Sequence, residues 1–466
     1  MPAERDDQVS KMEEFLRSMN GKEVAVLGIG VSNRPLIGLL CKAGACVTAC
    51  DKKTREQLGD TARQLEEMGV RLQLGEGYLE NLTQEVIFRS PGIRPDLPSL
   101  EQAKAQGSRL TSEMEVFFEV CPCPILAVTG SDGKTTTTTL IAEMLKAEGK
   151  QVWLGGNIGQ PLLSMAGEMK AEDFAVVELS SFQLMTMGKA PHVAVVTNVT
   201  PNHLDVHKGM EEYVSAKENI FLGQGADDLL VCNLDNDLSA AMAKKAPGKV
   251  RTFSRQEKVE SGAWFENDTI YYNGTPWIKK EDIRIPGIHN VENYMAAICA
   301  VADYIRPETA LQVAREFAGV EHRIEFVREV RGVKYYNDAI ATSPARAIAG
   351  LHSFDQKLIV IAGGYDKHIP FDVLGPEIVN HVKLLVLCGA TAGKIRAAVE
   401  QAPGYRPGHP EIVEVMPFEK AVLYARDKAQ SGDVVTLSPA CAAFDQFKNF
   451  AERGKTFKAI VNGWAE

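Results

Sequence analysis

The chain has 466 residues, a length that suggests about three domains. Hydrophobic residues make up 45% and charged residues 24%, as in an ordinary globular protein, and 61 acidic against 51 basic side chains leave a net charge of −10. That balance argues against a general nucleic-acid binder, yet it leaves room for anion sites built locally from backbone amides, a few cations and metal ions. No stretch approaches about 18 consecutive apolar residues, so no membrane insertion is expected. The opening MPAERDDQVSK lacks a signal-peptide pattern. The nine cysteines are scattered, without a CxxC pair. The reading is a cytoplasmic, monomeric protein. Cys41, Cys46 and Cys50 fall in an apolar helix-then-strand stretch and read as core thiols rather than a metal site.

The first unit spans about residues 20–112. KEVAVLGIG (22–30) reads as a strand ending in glycine, PLIGLLCKAG (35–44) as a helix, and CVTACD (46–51) as the next strand, closing on Asp51. An acidic residue about 20 positions after the glycines is the pattern of dinucleotide-binding folds. The fingerprint is incomplete, because Asn33 stands where the third glycine belongs. A helix N-terminus holding a phosphate therefore fits better than a nicotinamide site. VIFRSPGI (86–93) reads as a further strand whose loop carries Pro91 and Gly92 on the same edge.

A second unit opens with the buried strand PILAVT (124–129), a glycine turn, and a helix begun by five threonines (135–139). Strands are expected at 174–179, 193–199 and 228–233, a small antiparallel addition between about 250 and 285, and a helix ending near 304. In the third unit, from about Val320, VKYYND (333–338), KLIVIAGG (357–364), KLLVLCG (383–389) and VVTLSPA (434–440) are continuous apolar runs between helical stretches. Such runs indicate a parallel sheet covered on both faces, with ligands at the strand ends.

Gly130-Ser131-Asp132-Gly133-Lys134-Thr135, between strand and helix, is the strongest chemical signal. Amides at such a turn cradle phosphate oxygens, Lys134 reaches the terminal phosphates, and the Thr135 hydroxyl ligates Mg²⁺. The strict P-loop requires glycine six residues before the lysine, where this chain has Val128. A phosphate-bound Mg²⁺ also needs a carboxylate, and Glu178 at a strand end is the candidate. His203 and Asp205 follow another strand; His203 either ligates a metal or caps a turn.

GSDGKTT, GGNIG (155–159), ELSSFQL (178–184), NVTPNHLD (198–205), YVSAKENIF (213–221), HNVEN (289–293), EHRIE (321–325), NDAIATSP (337–344) and SPACAAFDQFKNFAERG (438–454) occur in that order. Together they resemble the Mur ligases of peptidoglycan synthesis, from about residue 22 to 457. The last motif is similar to that of the D-glutamate-adding branch. The resemblance implies an α/β protein of three domains, each on a mainly parallel sheet: a Rossmann-like domain for the UDP substrate (1–112), a central P-loop-type ATPase (113–319) and a Rossmann-like amino-acid-binding domain (320–466). It implies ATP-dependent addition of D-glutamate to UDP-N-acetylmuramoyl-L-alanine through an acyl phosphate, with the C-terminal domain swinging over the ATP site about a hinge near 318–322.

The resemblance also assigns residues. Gly130, Ser131, Asp132, Gly133, Lys134, Thr135 and Thr136 would hold ATP, with Asn290 and Asn293 at the adenine and Arg323 and Asp338 at the phosphates and ribose. Two Mg²⁺ ions are expected, one at Thr135 and Glu178, the other at His203 and Lys217; the matching family lysine is carbamylated. Lys134, Glu178, His203 and Lys217 form the catalytic set. Gly30, Val31, Ser32, Asp51, Ser90, Pro91 and Gly92 would meet the uridine nucleotide, Asn157 and Ser180 (with His203) the muramoyl-alanine end. Thr342, Lys367, Ala443, Phe444 and Phe450 would meet the amino acid.

Four positions depart from common family forms: Asp132 in place of Asn, Ala339 and Ile340 in place of Ser and Lys, and Ala443 in place of Ser. A hydroxyl lost against a carboxylate is worth roughly 1.5–3 kcal/mol. Two alternatives follow from these departures: a related amide ligase with another acceptor or amino acid, and a non-catalytic nucleotide-sugar binder.

Overall fold

A computed structural model of the chain describes residues 10–30, 32–203, 206–367 and 369–464; Val31 and Asp205 lie outside them. The chain separates into two compact units. One runs to Lys279 and takes in Glu292–Val313; the other is Lys280–Val291 with the residues from Ala314 onward. No helix among the described residues is long and apolar enough to cross a membrane.

The first unit carries two sheets. Strands β1 (Glu23–Leu27), β2 (Cys46–Asp51), β3 (Arg71–Leu74), β4 (Val86–Arg89) and β5 (Arg109–Thr111) form an all-parallel sheet in the order β3-β2-β1-β4-β5. Helix Asn33–Lys42 buries Leu36, Ile37 and Leu40, the face given by its apolar spacing. Chain order reverses between β1 and β4, so the loops after these two strands flank a crevice at the sheet's carboxyl edge. The Ser90 amide donates to the Leu27 carbonyl at 3.0 Å and closes that edge.

The second sheet has nine strands: β6 (Ile125–Thr129), β7 (Val152–Gly156), β8 (Phe174–Glu178), β9 (Val193–Val196), β10 (Leu229–Asn233), β11 (Lys249–Ser254), β12 (Gly262–Glu266), β13 (Thr269–Tyr272) and β14 (Thr275–Lys279). Its order is β14-β13-β12-β11-β10-β9-β6-β8-β7, with β12-β13-β14 as the expected antiparallel addition. Trp264 stacks on Tyr271 across this ribbon with ring centroids 5.6 Å apart. Every residue of β6, β8, β9 and β10 is buried, as continuous apolar runs require of a sheet covered on both faces.

The second unit carries β15 (Glu325–Val330), β16 (Val333–Asn337), β17 (Leu358–Ala362), β18 (Val382–Leu387), β19 (Glu411–Glu414) and β20 (Val434–Leu437), in the order β15-β16-β20-β17-β18-β19. Only the β15–β16 pair is antiparallel. The C-terminal ends of β16, β20 and β17 are thus neighbours.

One sequence expectation is corrected. Of the three N-terminal cysteines only Cys50 is buried; Cys41 is half-buried, and Cys46 is exposed at the opening of β2. Cys46 is the first residue of β2, and every later residue of that strand is buried.

Candidate active site

The loop Gly130–Gly133 joins β6 to helix Lys134–Ala147. Gly130 has φ +150°, and a Cβ there would lie 1.9 Å from Thr197 Oγ1; Gly133 has φ +77°, and a Cβ there would lie 2.4 Å from Asn293 Oδ1. Both positions admit only glycine, for conformation and for space. Asn198 shapes the turn, its carbonyl accepting from the Ser131 amide at 2.9 Å and its Oδ1 from the Asp132 amide at 2.9 Å. Thr197 Oγ1 donates to the Asp132 carbonyl at 2.6 Å. The Ser131 hydroxyl is 2.9 Å from the Tyr213 hydroxyl and donates to the Thr200 carbonyl. The Asp132 side chain is exposed.

Helix Lys134–Ala147 has no side-chain cap at Gly133. The first amides of a helix lack intrahelical acceptors, so those of Gly133 to Thr136 present a positive end. Thr138 and Thr139 turn their hydroxyls back to the carbonyls of Lys134 and Thr135 at 2.8 Å, and Thr137 donates to Asn293 Oδ1 at 3.2 Å. Three of the five threonines therefore serve the loop and the helix's own backbone. Lys134 Nζ reaches the Ser131 carbonyl at 2.8 Å.

Thr135 and Glu178 meet. The Thr135 hydroxyl donates to Glu178 Oε2 at 2.6 Å, and Asn157 Nδ2 donates to Oε1 at 2.8 Å. Gly156 fits against β8 because a Cβ there would lie 2.3 Å from the Glu178 carbonyl. Lys217, on helix Met210–Glu218, is 1% exposed. Its Nζ donates to the Gly130 carbonyl at 2.8 Å and to Thr129 Oγ1 at 3.3 Å, and sits 4.7 Å from the centre of the Tyr213 ring. Burial, reinforced by the charge of Lys134, pulls its pKa down to about 7. A neutral buried amine is the form that reacts with CO₂.

His203 lies after β9 with φ +54°. It is exposed and packs edge-on to Phe182 at 5.2 Å. The sequence reading passed over its neighbour His207, which is buried, stacked on Phe182 at 5.1 Å, and hydrogen-bonded to Ser181 Oγ at 2.9 Å and to Glu212 at 3.2 Å. Ser180 caps the short helix Ser181–Leu184 through a reciprocal bond with Gln183.

At the first sheet's carboxyl edge, Asp51 is occupied by backbone amides: Oδ2 accepts from Ile29 at 2.7 Å and Oδ1 from Lys53 at 2.9 Å. Asn33 Nδ2 donates to the carbonyls of Leu27 and Gly28, so the residue that breaks the glycine fingerprint holds the turn instead. Gly30, Ser32 and Gly92 are exposed there, and Ser90 and Pro91 half-buried. Arg89, missed in the sequence, is fully buried beneath them. Its guanidinium donates to the carbonyls of Ser90, Pro91 and Ile93, and across to the Phe182 carbonyl and Thr186 Oγ1, both at 3.2 Å.

In the second unit, Asp338 directly follows β16, buried, accepting from Ser438 Oγ at 3.0 Å and the Ile324 amide at 3.3 Å. Burial pushes its pKa up to about 7 against those bonds and the charges of Arg323 and Arg346. Thr342 is half-buried and Lys367 exposed, on the loops after β16 and β17. After β20, Ala443 is buried, whereas Phe444 is 61% exposed and edge-on to Tyr365 at 5.8 Å. Phe450 opens helix Phe450–Asn462 and packs edge-on to His322 at 5.9 Å. Asn290 is buried, its side chain donating to the Pro286 carbonyl at 2.6 Å. Arg453, another residue the sequence reading missed, is buried and donates to the carbonyls of Gly363, Ala442, Ala339 and Cys441, tying the three loops together.

A parallel sheet with a glycine loop, an uncapped helix start and a hydroxyl–carboxylate pair at its edge defines a protein of the phosphate-loop nucleotide-binding class. Comparison with known proteins narrows the class. The Mur ligase MurD-like N-terminal domain matches residues 22–112, the Mur ligase middle domain 128–301, and the Mur ligase glutamate ligase domain 322–441. The UDP-N-acetylmuramoylalanine–D-glutamate ligase of Acetivibrio thermocellus is 54% identical over 460 residues, covering 97% of this chain and 99% of the relative. That of Clostridium novyi is 52% identical over 450 residues, covering 96% and 98%. Among solved structures, the UDP-N-acetylmuramate-alanine ligase MurC of Thermotoga maritima shares the fold at a TM-score of 0.58 and 17% identity, covering 95% of this chain and 99% of that one. The chain belongs to the Mur ligase family.

Proposed function

We propose that this protein is a cytoplasmic ATP-dependent ligase that joins D-glutamate to the carboxylate of UDP-N-acetylmuramoyl-L-alanine in peptidoglycan precursor synthesis. The observation that carries the proposal is the 54% identity, over nearly the whole of both chains, to a relative named for that reaction. In this reading the chain divides near residues 112 and 319 into UDP-substrate, ATP and amino-acid domains, and acts as a monomer.

The chemistry follows from the reactants. A carboxylate is a poor electrophile, so the γ-phosphoryl group of ATP is first transferred to it. The amine of D-glutamate then attacks the acyl carbon, and phosphate leaves from the tetrahedral adduct as the amine gives up its proton. The first step brings a carboxylate against a triphosphate, and the amides of Gly133 to Thr136 with Lys134 offset that repulsion. Thr135 and Glu178 offer hard oxygen donors 2.6 Å apart, a set that suits Mg²⁺. Lys217 as an ammonium does not suit a cation; its carbamate would, together with His203 at a second position. Bound Mg²⁺ supplies charge neutralisation at the transferring phosphoryl group. Asn157 and Ser180 orient the acceptor's alanyl end, and Gly30, Ser32, Asp51 and the Ser90–Gly92 turn hold its uridine end. By the family resemblance, Asn290 and Asn293 would meet the adenine, and Arg323 and Asp338 the phosphates and ribose. Lys367, Thr342, Phe444 and Phe450 receive D-glutamate.

The test is phosphate release with ATP, Mg²⁺ and UDP-N-acetylmuramoyl-L-alanine, with D-glutamate, L-glutamate and other amino acids supplied in turn. Release that depends on D-glutamate supports the proposal and shows that Ala443 is compensated. Release with a different amino acid, or with none, overturns it.

A further inference from the structure

We propose that His352, Glu377 and His381 form a binding site for a divalent transition-metal ion of the zinc class on the second unit. Their ligand atoms all lie within 4.8 Å of one another. Glu377 Oε2 is 2.6 Å from His352 Nε2 and 3.5 Å from His381 Nε2. In a tetrahedral site with bonds of about 2.0–2.1 Å, donor atoms stand roughly 3.3–3.5 Å apart. The Glu377–His381 separation has that span already. The shorter Glu377–His352 contact is a hydrogen bond, which opens when a metal ion takes the place of its proton.

The backbone builds the triad from two helices. Glu377 and His381 are four apart on helix Leu374–His381, which sets them one turn above each other on one face. His352 is the C-cap residue of helix Pro344–Leu351. The two histidines therefore stand at helix C-termini, whose carbonyl ends carry partial negative charge and favour a cation. The side chains are 50%, 29% and 33% exposed, so an ion reaches them without unfolding. Asp355 lines the same surface depression and adds a further carboxylate. The one ammonium in that lining, Lys357, is turned onto the Val379 carbonyl at 3.2 Å.

The donor set decides the class of ion. Two imidazoles and one carboxylate suit Zn²⁺, Co²⁺, Ni²⁺ or Cu²⁺, whereas Mg²⁺ and Ca²⁺ take all-oxygen shells. The site is thus chemically distinct from the Thr135–Glu178 pair. A bound ion joins the ends of the two helices that begin just beyond Thr342 and beyond the Lys367 loop.

The experiment uses untagged full-length protein, stripped with chelator and dialysed against ZnCl₂ in excess MgCl₂. Wild type is expected to bind one more equivalent of zinc than His381→Ala or His352→Gln, each variant weakening that equivalent at least tenfold. Comparison between variants subtracts zinc held by thiols elsewhere. Co²⁺ is expected to give visible absorption bands in the wild type that both variants lose. Zinc is expected to raise the melting temperature of the wild type more than that of either variant. Unchanged far-ultraviolet circular dichroism establishes that the variants fold. Equal zinc stoichiometry and equal Co²⁺ spectra in wild type and both folded variants overturn the proposal; the His352–Glu377 contact is then a hydrogen bond only.

Discussion

The Thr135 hydroxyl donates to Glu178 Oε2 at 2.6 Å and so couples the first turn of the phosphate-loop helix to the end of β8. Asn157 holds the other carboxylate oxygen at 2.8 Å. Removing one charge from this arrangement leaves its shape intact. Glu178→Gln is expected to fold normally and to lower kcat by roughly 10²–10³, the loss typical of one electrostatic group at a charged transition state. Phosphate release measured across a Mg²⁺ series checks this, with half-saturation moved to higher Mg²⁺ in the variant. An unchanged Mg²⁺ dependence would remove Glu178 from the metal-holding set.

The burial of Lys217 links the protein's stability to pH. Its pKa falls from 10.5 in the unfolded chain to about 7 when folded, chiefly through burial. Between those values the unfolded chain binds a proton that the folded chain does not, so this residue's contribution to stability rises with pH across the window. Lys217→Met is expected to flatten the pH dependence of urea unfolding between pH 7 and 10. Stripping bicarbonate from the buffer is expected to lower wild-type activity reversibly, and added bicarbonate is expected not to restore the variant.

The two loop glycines differ in what an added side chain would meet. At Gly130 an added methyl meets Thr197 Oγ1 at 1.9 Å and the Asn198 carbonyl at 3.1 Å, the second being backbone. At Gly133 the obstacle is the Asn293 side chain, and φ +77° costs an L-residue roughly 1–2 kcal/mol. Gly130→Ala is expected to weaken binding of a fluorescent ATP analogue more than Gly133→Ala. The reverse order would mean that Thr197 and Asn198 yield more easily than Asn293.

Asp338 titrates in the opposite sense to Lys217. Burial raises it from 3.8 to about 7. Between these values the folded protein holds a proton that the unfolded chain has lost, so its contribution to stability falls as pH rises and is gone above about 7. Ser438 and Ile324 donate to different oxygens of Asp338, so Asp338→Asn keeps one of the two acceptors and removes the buried charge. Relative to wild type, the variant is expected to gain stability from pH 5 to pH 8 in urea unfolding of the second unit's transition, while losing activity. A difference that is constant with pH would show that Asp338 is ionised throughout.

Much of the fold was readable because its central strands are continuous apolar runs. The runs at Phe174–Glu178, Val193–Val196 and Leu358–Ala362 carry their own signature. The edge strands do not: Arg71–Leu74, Arg109–Thr111 and Glu411–Glu414 are short, with polar residues facing out, and look like loops. Helix Lys11–Met19 did carry a signal that was passed over, namely Ser10 with Glu13 as a capping box ahead of Met12, Phe15 and Met19 at helical spacing. Within the site, the loop Gly130–Thr135 is contiguous and thus legible. Arg89 and Arg453 act by reaching carbonyls distant in sequence, Arg453 spanning from Ala339 to Cys441, and nothing local marks an arginine for burial. Asn33 looked like a defect in a glycine pattern, and only its two bonds to Leu27 and Gly28 reveal the replacement.

The most direct test of the account follows the carboxylate oxygen. UDP-N-acetylmuramoyl-L-alanine labelled with heavy oxygen in its carboxylate is incubated with ATP, Mg²⁺ and D-glutamate, and both products are read by mass spectrometry. The expected result is one heavy oxygen in the released phosphate and a UDP-sugar product extended by one glutamyl residue, with neither formed in appreciable amount from L-glutamate. Unlabelled phosphate accompanying an extended product would contradict the acyl-phosphate route, and phosphate without any extended product would contradict ligation itself.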